Sequence, residues 1–210
     1  ASLIININAS PYDIHKSETR KEIVMKKALK LNVPIIYLNM VGGQDELVFD
    51  GGSFVVNDLG EIIYQASSFK EEVFHLDIDL KTNKQNDKSP LIIRPKTIEL
   101  KDVESKASLS KNESIYSALK LGLKDYVRKN KFTKVLIGIS GGIDSALTAA
   151  ICVDALGAEN VIGVAMPSKY NSKDSLDDAI KLSDNLGITL KTIEIEKLVD
   201  DFRETLTNSL

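Results

Sequence analysis

The stretch Lys134-Val-Leu-Ile-Gly-Ile-Ser-Gly-Gly-Ile-Asp-Ser145 runs from a short apolar strand pattern into a glycine-rich turn. An Ala- and Leu-rich helix pattern over 143–156 follows directly. Glycines between a strand and a helix let the backbone turn tightly and approach a ligand closely. The free N–H groups of the first helical turn, together with the helix dipole, favour an anion there. Ser140 and Ser145 add hydroxyl donors. Asp144 is the odd member, because a carboxylate beside a phosphate repels it unless a cation lies between them. A hard, oxygen-liganded Mg²⁺ suits that position, with Asp144 as its ligand. Two other phosphate loops are excluded. No lysine follows the second glycine, as G-x-x-x-x-G-K-[ST] requires, and Ser140 occupies the second glycine position of G-x-G-x-x-G. A glycine-rich turn with no ligand is the plain structural alternative.

The segments downstream fix the architecture around this turn. Asn160 to Met166 reads as a strand, 174–186 as a helix and 188–195 as a strand. Strands alternating with helices through short connections imply right-handed crossovers and a parallel sheet. Upstream, Ser110-x-x-Glu113 has the form of a capping box, and Ile115, Leu119, Leu123 and Tyr126 mark one face of the helix it opens. Residues 81–112 differ in kind. They hold eight Lys or Arg, two prolines (Pro90, Pro95) and few large apolar residues, which is a linker composition.

The first block is strand-rich. Leu3 to Ile7 reads as a buried strand, and 17–31 as an amphipathic helix with Val24, Ala28 and Leu31 on one face. Ile35 to Val41 reads as a second strand, with Gly42-Gly43 and Asp50-Gly51-Gly52 as turn signals. Phe54 to Val56 and Ile62 to Tyr64 flank Asn57-Asp58-Leu59-Gly60 as a hairpin. Phe74, Leu76, Ile78 and Leu80 alternate with polar residues, as a half-buried strand would. The division is therefore 1–80, a linker at 81–112, and 113–210.

Composition narrows the function classes. With 210 residues the chain holds one large or two small domains, and 43 % apolar residues suit a globular fold. No apolar run reaches the roughly 18 residues of a membrane span. A net charge of −3 gives no electrostatic reason to bind nucleic acid. The single cysteine, Cys152, excludes a disulfide framework and fits a reducing cytoplasm. It sits mid-helix among Ala149, Ala150, Ile151 and Val153, as a buried apolar thiol and not as a nucleophile. His15 and His75 have no partner at ligand spacing, and a polar loop accounts for Asp45 and Glu46. The chain enters a strand pattern by Leu3 and stops near an amphipathic one (Leu198, Val199, Phe202, Leu206), so it reads as a piece of a longer protein.

Ser140-Gly141-Gly142-Ile143-Asp144-Ser145 resembles the pyrophosphate loop of the ATP pyrophosphatases. Met166-Pro167-Ser168-Lys169-Tyr170, with Ser172, Ser175, Asp178 and Ala179, resembles the NAD synthetases, with Asn171 where serine is expected. Asn6-Ile-Asn-Ala-Ser10-Pro11-Tyr12 and Val41 to Phe54 resemble the later half of a nitrilase-type glutaminase. In this order the blocks look like the glutamine-dependent NAD synthetase family. The resemblance implies an α/β fold: the C-terminal half of a nitrilase-like α-β-β-α domain, then the start of a Rossmann-like parallel-sheet ATP-pyrophosphatase domain.

It implies a cytoplasmic ligase that amidates deamido-NAD to NAD with ammonia from glutamine, through an adenylate, releasing AMP and pyrophosphate. It further implies ATP and Mg²⁺ as cofactors, with deamido-NAD and glutamine as substrates. It also implies a homo-oligomeric full-length protein and neither nucleic acid nor membrane as partner. ATP would bind at Gly138, Ile139, Ser140, Gly141, Gly142, Ile143, Asp144 and Ser145, and glutamine at Ser10 and Lys16. The family's Glu-Lys-Cys glutaminase triad matches no residue of this chain, so the chain by itself is expected to be inactive. Two other readings stand beside this one: another amidotransferase of the ATP pyrophosphatase class, and a fragment that binds nucleotide without turning it over.

Overall fold

The chain forms two compact units, Ala1–Ala118 and Leu119–Leu210. The computed structural model describes residues 1–78, 107–167 and 173–207. Most of the expected linker, and Ser168 to Ser172 of the second motif, lie outside the described residues.

In the first unit β1 (Ile4–Asn8) and β2 (Ile35–Asn39) run parallel, joined by α1 (Lys16–Leu31). Arg20, Val24 and Ala28 are buried at successive turns of α1, the spacing that keeps one helical stripe on a sheet. The helix ends at Asn32, in the left-handed conformation that asparagine tolerates, and Pro34 precedes the next strand. A hairpin of β3 (Val41–Gln44) and β4 (Leu47–Asp50) follows. Next come β5 (Phe54–Val56) and β6 (Ile62–Gln65), antiparallel, giving the sheet order β1-β2-β5-β6. Val24, Ala28, Ile35, Tyr37, Phe54 and Val56 form the core under α1, with the Tyr37 and Phe54 rings stacked 4.9 Å apart. Val55, Tyr64 and Ala66 form a second cluster on the opposite face.

Three details depart from the sequence reading. β1 is not buried: Ile5 is 58 % and Ile7 80 % exposed, because only Ile4 packs on the core under α1. Gly42 and Gly43 lie within β3, and the turn falls one step later, where Asp45 takes a positive φ of 50°. Residues 71–78 do not form a strand, although Phe74, Leu76 and Ile78 do pack against Val55, Tyr64 and Ala66. Alternation reports which side chains are covered. It does not report whether a neighbouring strand supplies hydrogen bonds.

α2 (Lys111–Lys129) opens on the expected capping box. The Ser110 N–H donates to Glu113 Oε2 at 2.9 Å, and the Glu113 N–H to Ser110 Oγ at 3.4 Å. Hydrogen bonds from the Ser110 hydroxyl and, less, from its backbone N–H to the ionised carboxyl hold Glu113 below its ordinary value. The second unit then alternates β7 (Val135–Gly138), α3 (Ile143–Leu156), β8 (Val161–Ala165), α4 (Lys173–Leu186), β9 (Thr189–Thr192) and α5 (Glu196–Thr207). The three strands are parallel, as the strand–helix alternation requires, and stand in the order β7-β8-β9. Ile139, Ala149, Cys152, Val161, Ala179 and Ile188 form its core. Burial pushes the Cys152 thiol up, which keeps it protonated and unreactive. No helix among the described residues is long and apolar enough to cross a membrane.

Candidate functional site

The loop at 138–145 leaves the C-terminal end of β7 and enters α3. This is the edge of a parallel sheet where ligands of open α/β folds bind. Ile139 is buried and anchors the loop, while Ser140, Gly142, Ile143 and Asp144 face outward. Gly141 has φ +79°, and a β-carbon there would collide with the Ser175 carbonyl oxygen on α4. Only glycine fits that combination of backbone and neighbour.

The loop is stapled by its own hydroxyls. Ser145 Oγ donates to the Gly142 carbonyl at 2.9 Å and accepts the Ser140 N–H at 3.3 Å. Ser140 Oγ accepts the Gly142 N–H at 3.3 Å and lies 3.2 Å from Ser145 Oγ. The α-helical ladder starts with the Ala146 N–H on the Gly142 carbonyl at 3.1 Å, and no side chain caps Gly142. The N–H groups of Ile143, Asp144 and Ser145 precede that ladder and are therefore the helix-end donors that an anion engages.

Beside the loop lies a cleft of about 210 Å³. Ile139, Met166, Pro167, Leu176 and Ala179 make most of it apolar, and Ser140 and Ser175 add polar edges. A loop with helix-end donors next to an apolar slot suits a ligand with a phosphate chain and a flat, weakly polar group. The donor set also fits Mg²⁺. One exposed carboxylate, Asp144, stands in the first turn of α3 beside two hydroxyls. Mg²⁺ characteristically takes one or two protein carboxylates and fills its sphere with water and phosphate oxygens. No group of three or more His, Cys, Asp or Glu able to hold a metal occurs among the described residues.

Ser10 and Lys16 lie elsewhere, in the first unit. Ser10 follows β1 and is half-buried; Lys16 opens α1 and is exposed. Around Ser10 is a buried polar network that the sequence did not announce. Arg20 Nη1 donates to both oxygens of Asp50 at 2.8 and 2.9 Å. Its Nη2 donates to the Ser10 and Pro11 carbonyls at 2.9 and 2.8 Å, and its Nε to Ser10 Oγ at 3.1 Å. Asn39 Oδ1 accepts the Ser10 N–H at 2.9 Å, and Asn39 Nδ2 donates to the Gly51 carbonyl at 3.1 Å. Arg20 and Asp50 are 8 % and 6 % exposed. Asp45 and Glu46 sit in the β3–β4 turn, and His15 and His75 are exposed. The cleft residues Met166, Pro167, Ser175 and Leu176 were absent from the expected ligand set. Met166, Pro167 and Ser175 stood in the second motif, while Leu176 carried no signal.

The NAD synthase family matches residues 115–209, and the carbon-nitrogen hydrolase family residues 1–86. The glutamine-dependent NAD(+) synthetase of Thermotoga maritima is 44 % identical over 97 % of this chain, and that of Aquifex aeolicus 42 % identical over 94 %. The chain spans 38 % of the length of each. Among solved structures, the glutamine-dependent NAD+ synthetase of Acinetobacter baumannii, in complex with ADP, is 40 % identical with a TM-score of 0.82. That match covers 98 % of this chain and 36 % of the other.

Proposed function

We propose that this chain is part of a glutamine-dependent NAD(+) synthetase, joining a carbon-nitrogen hydrolase segment to an NAD synthase segment. The full protein amidates deamido-NAD to NAD in the cytoplasm as a homo-oligomer. Glutamine is hydrolysed in the hydrolase part, by a Glu-Lys-Cys triad that matches no residue here. Ser10 donates to the glutamine carboxylate and the Lys16 ammonium pairs with it.

In the synthetase part the nicotinate carboxylate oxygen bonds to the α-phosphorus of ATP, and the bond to pyrophosphate breaks. Ammonia then bonds to the activated carbonyl carbon, and AMP leaves. The loop at 138–145 holds the departing pyrophosphate. The N–H groups of Ile143, Asp144 and Ser145 meet the charge that builds on it, from positions fixed before the reaction. Ser140 and Ser145 present hydroxyls to the same oxygens, exchanging their bonds to one another for bonds to the ligand. The apolar cleft at Met166, Pro167 and Leu176 takes the adenine. Asp144 would hold Mg²⁺ beside these groups; when bound, the ion supplies Lewis-acid stabilisation of phosphate oxygens.

The observation that carries this reading is the stapled loop with outward helix-end donors beside an apolar cleft. The test is a product analysis on the full-length protein with deamido-NAD, ATP and either glutamine or ammonium. NAD, AMP and pyrophosphate in equal amounts are expected from both nitrogen donors. ADP and inorganic phosphate would contradict the pyrophosphate assignment. This chain alone should release no ammonia from glutamine.

A further inference from the structure

We propose that Arg20, held by Asp50, is a positioning residue for the amino-acid substrate of the first unit, because it fixes Ser10 Oγ with the hydroxyl proton turned away from the guanidinium and free to donate to that substrate. The inference rests on the reading of Ser10 as a glutamine ligand. Arginine has five N–H donors. In Arg20 all three nitrogens are engaged: Nη1 by the two oxygens of Asp50, Nη2 by the Ser10 and Pro11 carbonyls, and Nε by Ser10 Oγ. Each nitrogen is thus turned to a protein acceptor, and Ser10 is the group through which Arg20 would act on a ligand.

The same count applied to Ser10 gives its role. Its N–H is taken by Asn39 Oδ1, its carbonyl by Arg20 Nη2, and one lone pair of Oγ by Arg20 Nε. The hydroxyl proton points away from the guanidinium, since it cannot share the direction of an incoming N–H. A hydroxyl whose oxygen accepts from a cation is also a stronger donor, because hydrogen bonds in a chain polarise one another. The group so prepared fits an acceptor, the carboxylate of an α-amino acid. Asp50 balances the buried charge, so the guanidinium does not attract the carboxylate into its own place. Asn39 closes the frame by tying the Ser10 N–H to the Gly51 carbonyl across β2 and β4.

The test uses steady-state NAD formation by the full-length protein, with glutamine-driven rates normalised to those with ammonium. Arg20→Lys keeps a charge for Asp50 but lacks the planar fork that reaches Ser10 Oγ at the same time. It should raise the KM for glutamine about tenfold, the size of one charged hydrogen bond, with little change in kcat. Ser10→Ala should raise KM similarly, and the double variant no further than Ser10→Ala alone. A fall in kcat at unchanged KM, or factors that multiply in the double variant, would reduce Arg20 to a structural residue. If Ser10→Ala raises KM and Arg20→Lys does not, the inference fails and the glutamine assignment stands. If Ser10→Ala leaves KM unchanged, the assignment itself fails. Should Arg20→Lys not unfold cooperatively, Asp50→Asn carries the test: KM must rise in the same direction by a smaller factor, and an unchanged KM overturns the proposal.

Discussion

Two loops, each following the first strand of its unit, are held in opposite ways. The loop at 138–145 is held by itself: Ser140, Gly142 and Ser145 exchange hydrogen bonds within five residues, all near solvent. The loop at Ser10 is held from outside, by Arg20 on α1, Asn39 on β2 and Asp50 on β4, all buried. The first arrangement can exchange its internal bonds for bonds to a large, charged ligand. The second keeps its bonds and offers a fixed surface to a small one.

Breaking the second loop's support should therefore cost the most. Asp50→Ala leaves the Arg20 charge buried without a partner, a loss of about 3–5 kcal/mol. Denaturant unfolding should show it as a lower midpoint. A loss below 1 kcal/mol would mean the pair is solvated in solution. In the self-held loop the largest effect should come from Gly141→Val. A β-branched residue at positive φ, facing the Ser175 carbonyl, costs about 1–3 kcal/mol in strain. The protein should still fold, with the loop displaced and nucleotide affinity lost. Retained affinity would mean the loop is not where phosphate binds. Ser140→Ala removes one hydroxyl from the same loop, and ATP affinity should fall by roughly tenfold.

The smallest expected effect lies outside both loops. The bonds from Ser110 hold the Glu113 carboxyl below its ordinary value. A group whose folded pKa is depressed adds stability that is present above its unfolded pKa. That stability is lost as pH falls through the lower, folded value. Amide protection at the start of α2, taken relative to the intrinsic exchange rate at each pH, should therefore fall as the solution is acidified below the ordinary glutamate range. Glu113→Gln should remove this loss of protection on acidification. Protection that still falls with acid in that variant would assign the fraying to another group.

The contrast also explains what could be read from the sequence. The 138–145 loop was legible because its determinants are contiguous: a strand, glycines, two serines and a helix follow one another from Val135 to Leu156. The capping box at Ser110 and Glu113 was legible for the same reason, and so was the parallel pairing of β7, β8 and β9, though not their order. Arg20 and Asp50 are thirty residues apart, and each looks ordinary locally. Arg20 reads as a solvated charge on a Lys-rich helix, and Asp50 as the lead of a glycine turn. Their pairing exists only once α1 and β4 pack together. β1 was misread in the other direction: Ile5 and Ile7 are apolar, but apolar sequence alone does not supply a covering layer.

The proposed reaction depends on the loop at 138–145 as a pyrophosphate site. Calorimetric titration of Mg-ATP into the full-length protein and its Asp144→Asn variant, with pyrophosphate as competitor, tests this most directly. Asn keeps the side chain's size and removes its charge. The account predicts saturable binding that pyrophosphate displaces, with a Mg²⁺ dependence that weakens in Asp144→Asn while thermal unfolding stays the same. Absence of binding by the folded protein, or binding that pyrophosphate does not displace, would contradict it.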